Sequence, residues 1–515
     1  MWVRFPPAPL SEKEAIFYLA SFFYSSESAG VIMNQNWEYR DINGLLNYRN
    51  ARQNHWDSVA VSLSDWKGIG GYYHKRLADL VGYVIPPNKK VLELGCGDGN
   101  LLHSTKPSIG IGLDFSEKMC QLSKQNHPEL VIIQADAHYL PVDEKFDFII
   151  LSDLLNDLWD AQQVLTQVRR LCHERTRIIL NSYSKLWEIP LKIGQKLKLA
   201  KPNLPQNWFS NHDISQILNL EDFEVVKHSR EIVFPLYIPL VTPLINRFLG
   251  KTWPFKHLAV TNLMVAKPDD RAKSEADRTV SIIIPARNEA GNIETLVQRV
   301  PEIGGGTEIV FIEGHSLDNT YDTIHEVIKK YPNRDIKVAQ QTGKGKGDAV
   351  RLGFQMASGD VLMILDADIS VPPEDIALFY NALVEHKGEF INGVRLVYPM
   401  EDQAMRFLNL LGNRFFSRTF SWLMGQPVKD TLCGTKVLLK EDYLRIAENR
   451  SYFGDFDPFG DFDLLFGATK LSLKIIDIPI RYRSRIYGST NIHRFRHGFL
   501  LLRMVFVAAI KLKFI

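Results

Sequence analysis

Apolar and polar positions along the chain fall into two long alternating patterns separated by a polar stretch. Residues 1–32 share no periodicity with the rest of the chain and read as a disordered or loosely helical extension, or as translation from a start upstream of Met33. From Tyr72 to Tyr83 the apolar residues recur at helical spacing, and Pro86-Pro87-Asn88 stops that helix. Predicted strands come next at 90–94, 109–113, 130–134, 146–151, 177–181 and 223–229, separated by helical stretches such as 117–125 and 160–172. This order predicts a doubly wound parallel sheet closed by later strands.

Residues 233–249 are almost wholly apolar, but Pro235, Pro239 and Pro243 preclude a regular spanning helix, so the segment is expected to cover a groove or lie on a bilayer surface. A polar run from Lys267 to Asp277 then reads as an interdomain linker. The second pattern has predicted strands at 280–285, 308–312, 336–340 and 361–365. The expected organisation is an extension over 1–50, a first α/β domain over 51–266, a linker over 267–279, a second α/β domain over 280–492 and an apolar, amphipathic tail over 493–515. Residues 405–424 and 499–515 mix apolar side chains with arginines and lysines, as interfacial segments do, and no run reaches the roughly 18 uninterrupted apolar residues of a membrane span.

A length of 515 residues is too great for one core and fits two domains. The 61 basic and 59 acidic residues nearly cancel, so no global field argues for nucleic acid. The four cysteines, Cys96, Cys120, Cys172 and Cys433, have no paired spacing, which argues against zinc or disulfides and for a reducing, cytosol-facing setting. Acidic residues before the apolar run at 15–24 argue against a signal peptide.

Two constellations carry chemistry. In the first, Glu93 and Gly95, Gly97 and Gly99 lie at the end of a buried strand, where small residues let a ligand approach the backbone. Asp114 ends the next strand about 20 residues on, the offset at which an acid meets ribose hydroxyls. Asp136 follows the third strand and Asp153 the fourth, where it reads as a base or, more simply, a helix cap. The glycine spacing departs from the G-x-G-x-x-G of dehydrogenases. Residues 72–182 resemble the class I S-adenosylmethionine-dependent methyltransferases, with a Rossmann-like sheet. The resemblance implies that Glu93 to Gly99 wraps methionine and ribose, that Asp114 takes the ribose hydroxyls, and that Asp136 and Ala137 flank the adenine, with Asp153 beside the cofactor.

In the second, the strand that ends in Pro285-Ala286 presents Asn288 and Glu289 at its carboxyl end. Glu313, the lysine-glycine loop containing Lys346, and the segment Asp366-Ala367-Asp368 come after it in order. A cationic glycine loop suits a diphosphate, and two strand-end carboxylates suit magnesium or manganese. Residues 280–490 resemble the family 2 glycosyltransferases of A-type fold, and among them the polyprenyl-phosphate sugar transferases. The resemblance implies nucleotide contacts from Pro285 to Glu289, a metal motif at Asp366 and Asp368, an acceptor-side motif from Asp430 to Lys436, a base-bearing motif at Asp461 and Asp463, and a closing loop holding Arg485 and Ser489. Arg395 and Lys436 are the cations available to an acceptor phosphate. One departure is Glu313-Gly314-His315-Ser316, where the family has Asp-Asp-Gly-Ser, so the donor base stays unassigned.

The expected function is a bifunctional transferase that uses a nucleotide sugar, a divalent metal and S-adenosylmethionine, acts on polyprenyl phosphate, and sits peripherally at the cytoplasmic face of a membrane. The alternatives are a glycosyltransferase with a silent methyltransferase-like binding module, and a glycan-assembly protein in which neither site turns over.

Overall fold

The buried runs at 90–94 and 361–364 each become the middle of a seven-stranded sheet. The structure, a computed structural model, describes residues 42–62, 71–196, 204–271, 277–395, 407–454, 460–481, 487 and 494–515. The N-terminal domain runs α1 (Ile42–Ser62), α2 (Gly71–Val84), β1 (Lys90–Leu94), α3 (Asn100–Ser104), β2 (Ile109–Asp114), α4 (Glu117–Asn126), β3 (Val131–Gln134), β4 (Phe146–Ser152), α5 (Ala161–Arg170), β5 (Cys172–Tyr183), α6 (Glu188–Lys196), α7 (Asn211–Leu220), β6 (Phe223–Glu231), α8 (Val241–Arg247) and β7 (Thr261–Pro268). Its sheet order is β3-β2-β1-β4-β5-β7-β6.

Side chains alternate across this sheet as the strand period requires. Leu92, Leu94, Ile149, Leu151, Ile178 and Leu180 pack on one face with α5, whereas Val91, Phe148, Ile150 and Ile179 pack on the other with α2. The first five strands are parallel, as expected. The closing of the sheet is not parallel: β7 inserts between β5 and β6 and runs antiparallel to both. It carries no alternation because every one of its residues is buried. Lys267 and Pro268, placed in the linker by composition, are still paired with Glu224 and Phe223. At the other end, residues 42–50, read as extension, are the first turns of α1.

The C-terminal domain runs β8 (Val280–Ala286), α9 (Ala290–Arg299), β9 (Thr307–Glu313), α10 (Thr320–Lys330), β10 (Asp335–Gln340), α11 (Lys346–Met356), β11 (Val361–Ile364), α12 (Ile376–Val384), β12 (Phe390–Val394), α13 (Phe407–Met424), β13 (Lys436–Leu439), α14 (Lys440–Glu448), α15 (Asp461–Lys470), β14 (Ile475–Pro479) and α16 (Arg494–Ala508). Its order is β10-β9-β8-β11-β13-β12-β14, a parallel half joined to a mixed half in which β13 is antiparallel to both neighbours. Ile282, Ile284, Met363 and Leu365 pack on one face, and Ile283, Leu362 and Ile364 on the other.

Residues of β5 and β6 approach the segments that lead into β12 and β14 across the domain seam. Arg177 donates to both carboxylate oxygens of Glu389 at 2.7 Å and to the Ser472 carbonyl at 3.0 Å. Lys474 donates to the Val225 carbonyl at 3.3 Å, and the Lys470 ammonium lies 3.6 Å over the Tyr83 ring.

Candidate functional site

At the carboxyl end of β1 the chain turns through Gly95, Gly97 and Gly99 with φ of 71°, 52° and 78°, a left-handed path that residues with a Cβ adopt rarely. The Gly97 amide donates to Asp114 Oδ2 at 3.0 Å and the Ser116 amide to Oδ1 at 2.9 Å, which ties the turn to the end of β2. Burial pushes Asp114 up to about 6 against the pull of those two amides. Glu93 is fully buried, and its Oε2 has no hydrogen-bond partner. Burial and the nearby Asp98 raise its pKa well above the ordinary value. An unpartnered buried acceptor beside a glycine turn with open space at Gly97 fits a nucleoside bearing a methionine tail.

Asp136 accepts from its own neighbour His138 at 2.6 Å and pairs with Arg49 at 3.6 Å; burial opposes its ionisation, but the His138 hydrogen bond holds its pKa below the ordinary value. Ala137 beside it is half-buried. Asp153 does not cap a helix. At φ 52° its carboxylate accepts from Tyr73 Oη at 3.0 Å and Asn181 Nδ2 at 2.6 Å, while Tyr73 Oη also meets Thr261 Oγ1 at 2.8 Å. Burial pushes Asp153 up to about 7, with Tyr73, Tyr183 and Asn181 pulling the other way. This cluster draws on α2, β4, β5 and β7, so no local pattern announces it.

Sequence reasoning also missed α1, which lies across the mouth of the site. Arg49 reaches Asp136, Gln53 donates to the Phe115 carbonyl at 3.4 Å, Trp56 Nε1 donates to Asp157 at 2.7 Å, and Arg52 Nε donates to Asp157 at 3.0 Å. Tyr48, Arg49, Arg52 and Trp56 do recur at helical spacing, but as a polar-aromatic stripe that a search for apolar periodicity passes over.

In the second domain the candidate residues converge on Gly434. The Lys346 ammonium donates to Asp366 Oδ1 at 2.6 Å. A Cβ built on Gly434 would lie 2.0 Å from Asp366 Oδ2 and 2.4 Å from Lys346 Nζ, so only glycine permits this approach. Burial alone would lower the Lys346 pKa, yet Asp366 and Asp461 raise it; Asp366 in turn is held below the ordinary aspartate value by Lys346 against its own burial. Asp368 is buried and accepts from the Ser370 amide at 3.0 Å and hydroxyl at 2.6 Å, and Ala367 between the two carboxylates is buried. The donors are all oxygens at one strand end, which suits a hard divalent cation.

Asp461 and Asp463 open α15, where the helix dipole favours acids. Two residues apart on a helix they point about 200° from each other. Asp461 Oδ1 is buried, has no hydrogen-bond partner and lies 3.6 Å from Lys436 Nζ, whereas Asp463 pairs with Arg450 at 2.7 Å. The structure therefore brings Asp461, and not Asp463, towards Lys346 and Asp366.

Lys436 differs from its expected role. It is fully buried and donates to Asn392 Oδ1 at 3.1 Å and the Cys433 carbonyl at 2.5 Å, so it is internal to the floor rather than presented to an acceptor phosphate. Arg395 grips Asp430 with Nε at 2.7 Å and Nη2 at 2.9 Å, and this pairing holds Asp430 below its ordinary pKa despite burial. Arg485 and Ser489 lie outside the described residues.

At the candidate nucleotide end, β8 finishes at Pro285 and Ala286. The Asn288 amide donates to Ser316 Oγ at 3.0 Å, and Asn288 Oδ1 accepts from the Leu317 amide at 2.7 Å. Glu313 accepts from the Ser316 amide at 2.6 Å and Gln340 Nε2 at 2.9 Å, and Glu289 accepts from Asn292 at 2.6 Å. Thus the carboxylate that replaces the usual aspartate pair builds the loop wall itself.

Comparison with known proteins agrees with this division. Residues 85–228 match the family model described as a methyltransferase domain, and residues 281–445 match that of glycosyl transferase family 2. A dolichol-phosphate mannosyltransferase of Pyrococcus furiosus is 41% identical over 44% of this chain and 64% of its own length, so the match spans less than two thirds of that relative. A UDP-N-acetylglucosamine–dolichyl-phosphate N-acetylglucosaminyltransferase of Methanococcus voltae is 26% identical over 40% of this chain and 86% of its own length. Glucosyl-3-phosphoglycerate synthase of Mycobacterium tuberculosis, solved with Mn2+ and UDP, is 18% identical over 46% of this chain and 80% of its own, with a TM-score of 0.34, too low to carry an argument.

Proposed function

We propose that the chain, which joins a methyltransferase domain to a family 2 glycosyltransferase domain, is a bifunctional transferase that moves a sugar from a nucleotide donor to polyprenyl phosphate and a methyl group from S-adenosylmethionine to a second acceptor. The observation that carries the reading is the convergence of Lys346 and Asp366 on the glycine-sized gap at Gly434, at the carboxyl end of a parallel half-sheet, with the charge of Asp461 acting on the same lysine. Relatives named for dolichol phosphate supply the acceptor class.

Magnesium or manganese held by Asp366 and Asp368 would neutralise charge on the departing diphosphate. Lys346 stands beside the same carboxylate as a fixed cation for the phosphates. Glu313 and Asn288 shape the wall against which a base would rest. The acceptor phosphate is already anionic, so its oxygen bonds to the anomeric carbon as the carbon–diphosphate bond breaks, with inversion and without a base. Asp461 then orients rather than deprotonates. In the other half, S-adenosylmethionine bound against Glu93 to Gly99, Asp114 and Asp136 would supply an activated methyl group, and Asp153 would take a proton from an acceptor hydroxyl.

We place the protein peripherally on the cytoplasmic side of a membrane, since its relatives are named for dolichol phosphate and its four cysteines are free; no helix among the described residues is long and apolar enough to cross a membrane. The test is donor turnover by the full chain with a short polyprenyl phosphate, with magnesium, manganese or chelator. Transfer that needs metal and is lost in Asp366→Ala is expected; full activity in chelator would refute the metal-dependent reading.

A further inference from the structure

The N-terminal domain leaves large apolar side chains in water around the Asp153 cluster. Leu240 is 80% exposed, Trp253 77% and Ile189 70%, with Leu244, Leu186 and Leu258 more than half exposed. Scattered singly these would need no explanation, but a contiguous set of this size marks an interaction surface. The set is contiguous because the elements that carry it touch. Trp187 Nε1 donates to the Leu258 carbonyl at 2.8 Å, and Tyr237 stacks on Tyr72 at 5.7 Å between ring centres. Tyr183 and Thr261, next to the segments that carry Leu186, Ile189 and Leu258, both lie against Tyr73, whose hydroxyl binds Asp153, so the face borders the Asp153 cluster.

The same face runs on into the other domain. Phe514 lies 5.3 Å from Phe248 and 5.9 Å from Trp422, and Arg247 Nε donates to the Phe514 carbonyl at 2.8 Å. Beyond it α16 exposes Phe499 and Phe506.

Charge decides the occupant. Residues 232–268 contain no acid; Lys251 and Lys267 there are buried in ion pairs with Glu231 and Glu224, which leaves Arg247 and Lys256 towards water, and residues 494–515 contain no acid but do contain arginines and lysines. In α6 and the turn before it, Glu188 is the single acid and is paired with Lys192, leaving Lys185 and Lys196. Apolar side chains framed by cations match the boundary of an anionic bilayer. A second copy of the chain docked by the same face would set these cations against their own kind.

We propose that the methyltransferase half docks on an anionic lipid bilayer through this face, which turns the Asp153 cluster towards the head-group layer and selects an amphiphilic methyl acceptor. This rests on the reading that the domain transfers methyl groups, although the docking itself does not need the cofactor. The test uses the full chain with vesicles of phosphatidylglycerol and phosphatidylcholine in equal parts, against phosphatidylcholine alone. Co-sedimentation with the anionic vesicles only is expected, weakened by salt. Brominated lipid should quench tryptophan fluorescence by an amount that shrinks in Trp253→Phe. Leu244→Glu with Trp253→Glu, both at exposed positions and checked for an unchanged melt, should weaken partition roughly a hundredfold.

Sedimentation of that double variant like wild type, or quenching unchanged in Trp253→Phe, would overturn the proposal. So would self-association that the double variant abolishes without any vesicle binding. Calorimetry with S-adenosylmethionine separates the two readings: no binding of the cofactor, with docking intact, refutes the transfer reading and leaves the lipid face standing.

Discussion

Asp366 and Asp368 stand two residues apart, yet their neighbours give them different work. Asp366 faces an ammonium and Asp368, which is buried, a serine, and both follow the end of β11 with their carboxylates bonded to polar groups. Asp368→Ala is therefore expected to lower sugar transfer on the order of a thousandfold while the melting temperature stays put, because the loss falls on the departing diphosphate and not on packing. Steady-state kinetics with calorimetric melting checks both halves. Asp153 invites a test by pH. Burial pushes it up to about 7, so a base role requires methyl transfer to rise as pH increases through 7. Asp153→Asn should erase that limb and cost on the order of a hundredfold or more, with S-adenosylmethionine affinity little changed. The stability sign runs the other way: the native carboxyl keeps its proton where the unfolded one has lost it, so Asp153 detracts from stability increasingly as pH rises from about 4 to 7. Removing its charge should stabilise the protein more at pH 7 than at pH 4.

At the scale of elements, α1 is the clearest case of a part whose purpose shows only in place. It contacts the chain after β2, β3 and β4 through Gln53, Arg49 and Trp56, all at the end of the sheet where the glycine turn lies. Arg49→Ala with Trp56→Ala should loosen this cover and weaken S-adenosylmethionine binding by about tenfold, or roughly 1.4 kcal/mol. Titration calorimetry on the full chain measures it, and unaltered affinity would mean that α1 supports the fold without covering the ligand. Element β7 is instructive in a different way. It returns from an excursion over residues 232–260 whose flanks are paired through β6 and β7, and its central slot beside β5 makes the last part of the sheet antiparallel.

At the scale of the whole molecule, a buried ion pair crosses the seam between the two domains. Arg177 is 3% exposed on its side chain and binds Glu389, which accepts also from the Lys474 amide at 2.9 Å. Replacing the arginine leaves a carboxylate buried without its cation, so Arg177→Met is expected to cost about 3–5 kcal/mol, and Arg177→Met with Glu389→Gln much less. Differential scanning calorimetry should resolve one cooperative transition in the parent and two in the single variant, if the seam couples the domains as this pair implies. Two transitions in the parent would mean that the domains unfold independently of it.

Most of both parallel half-sheets could be read from the sequence, because a strand buried on both faces writes a short apolar run and its terminating glycines or carboxylates into adjacent positions. The first glycine turn, Asp114, Asp366 and Asp368 were legible for that reason: each lies within a few residues of a strand end. What tertiary structure alone decided is the set of contacts between residues far apart in the chain. Tyr73 and Asn181 bind Asp153 while Thr261 meets Tyr73 across 188 residues, Lys436 is turned inward by Asn392 and Asp461, and Arg177 finds Glu389 across 212. Local periodicity records which face of an element is buried, whereas a polar side chain's partner depends on where distant elements bring their ends, and no spacing along the chain encodes that.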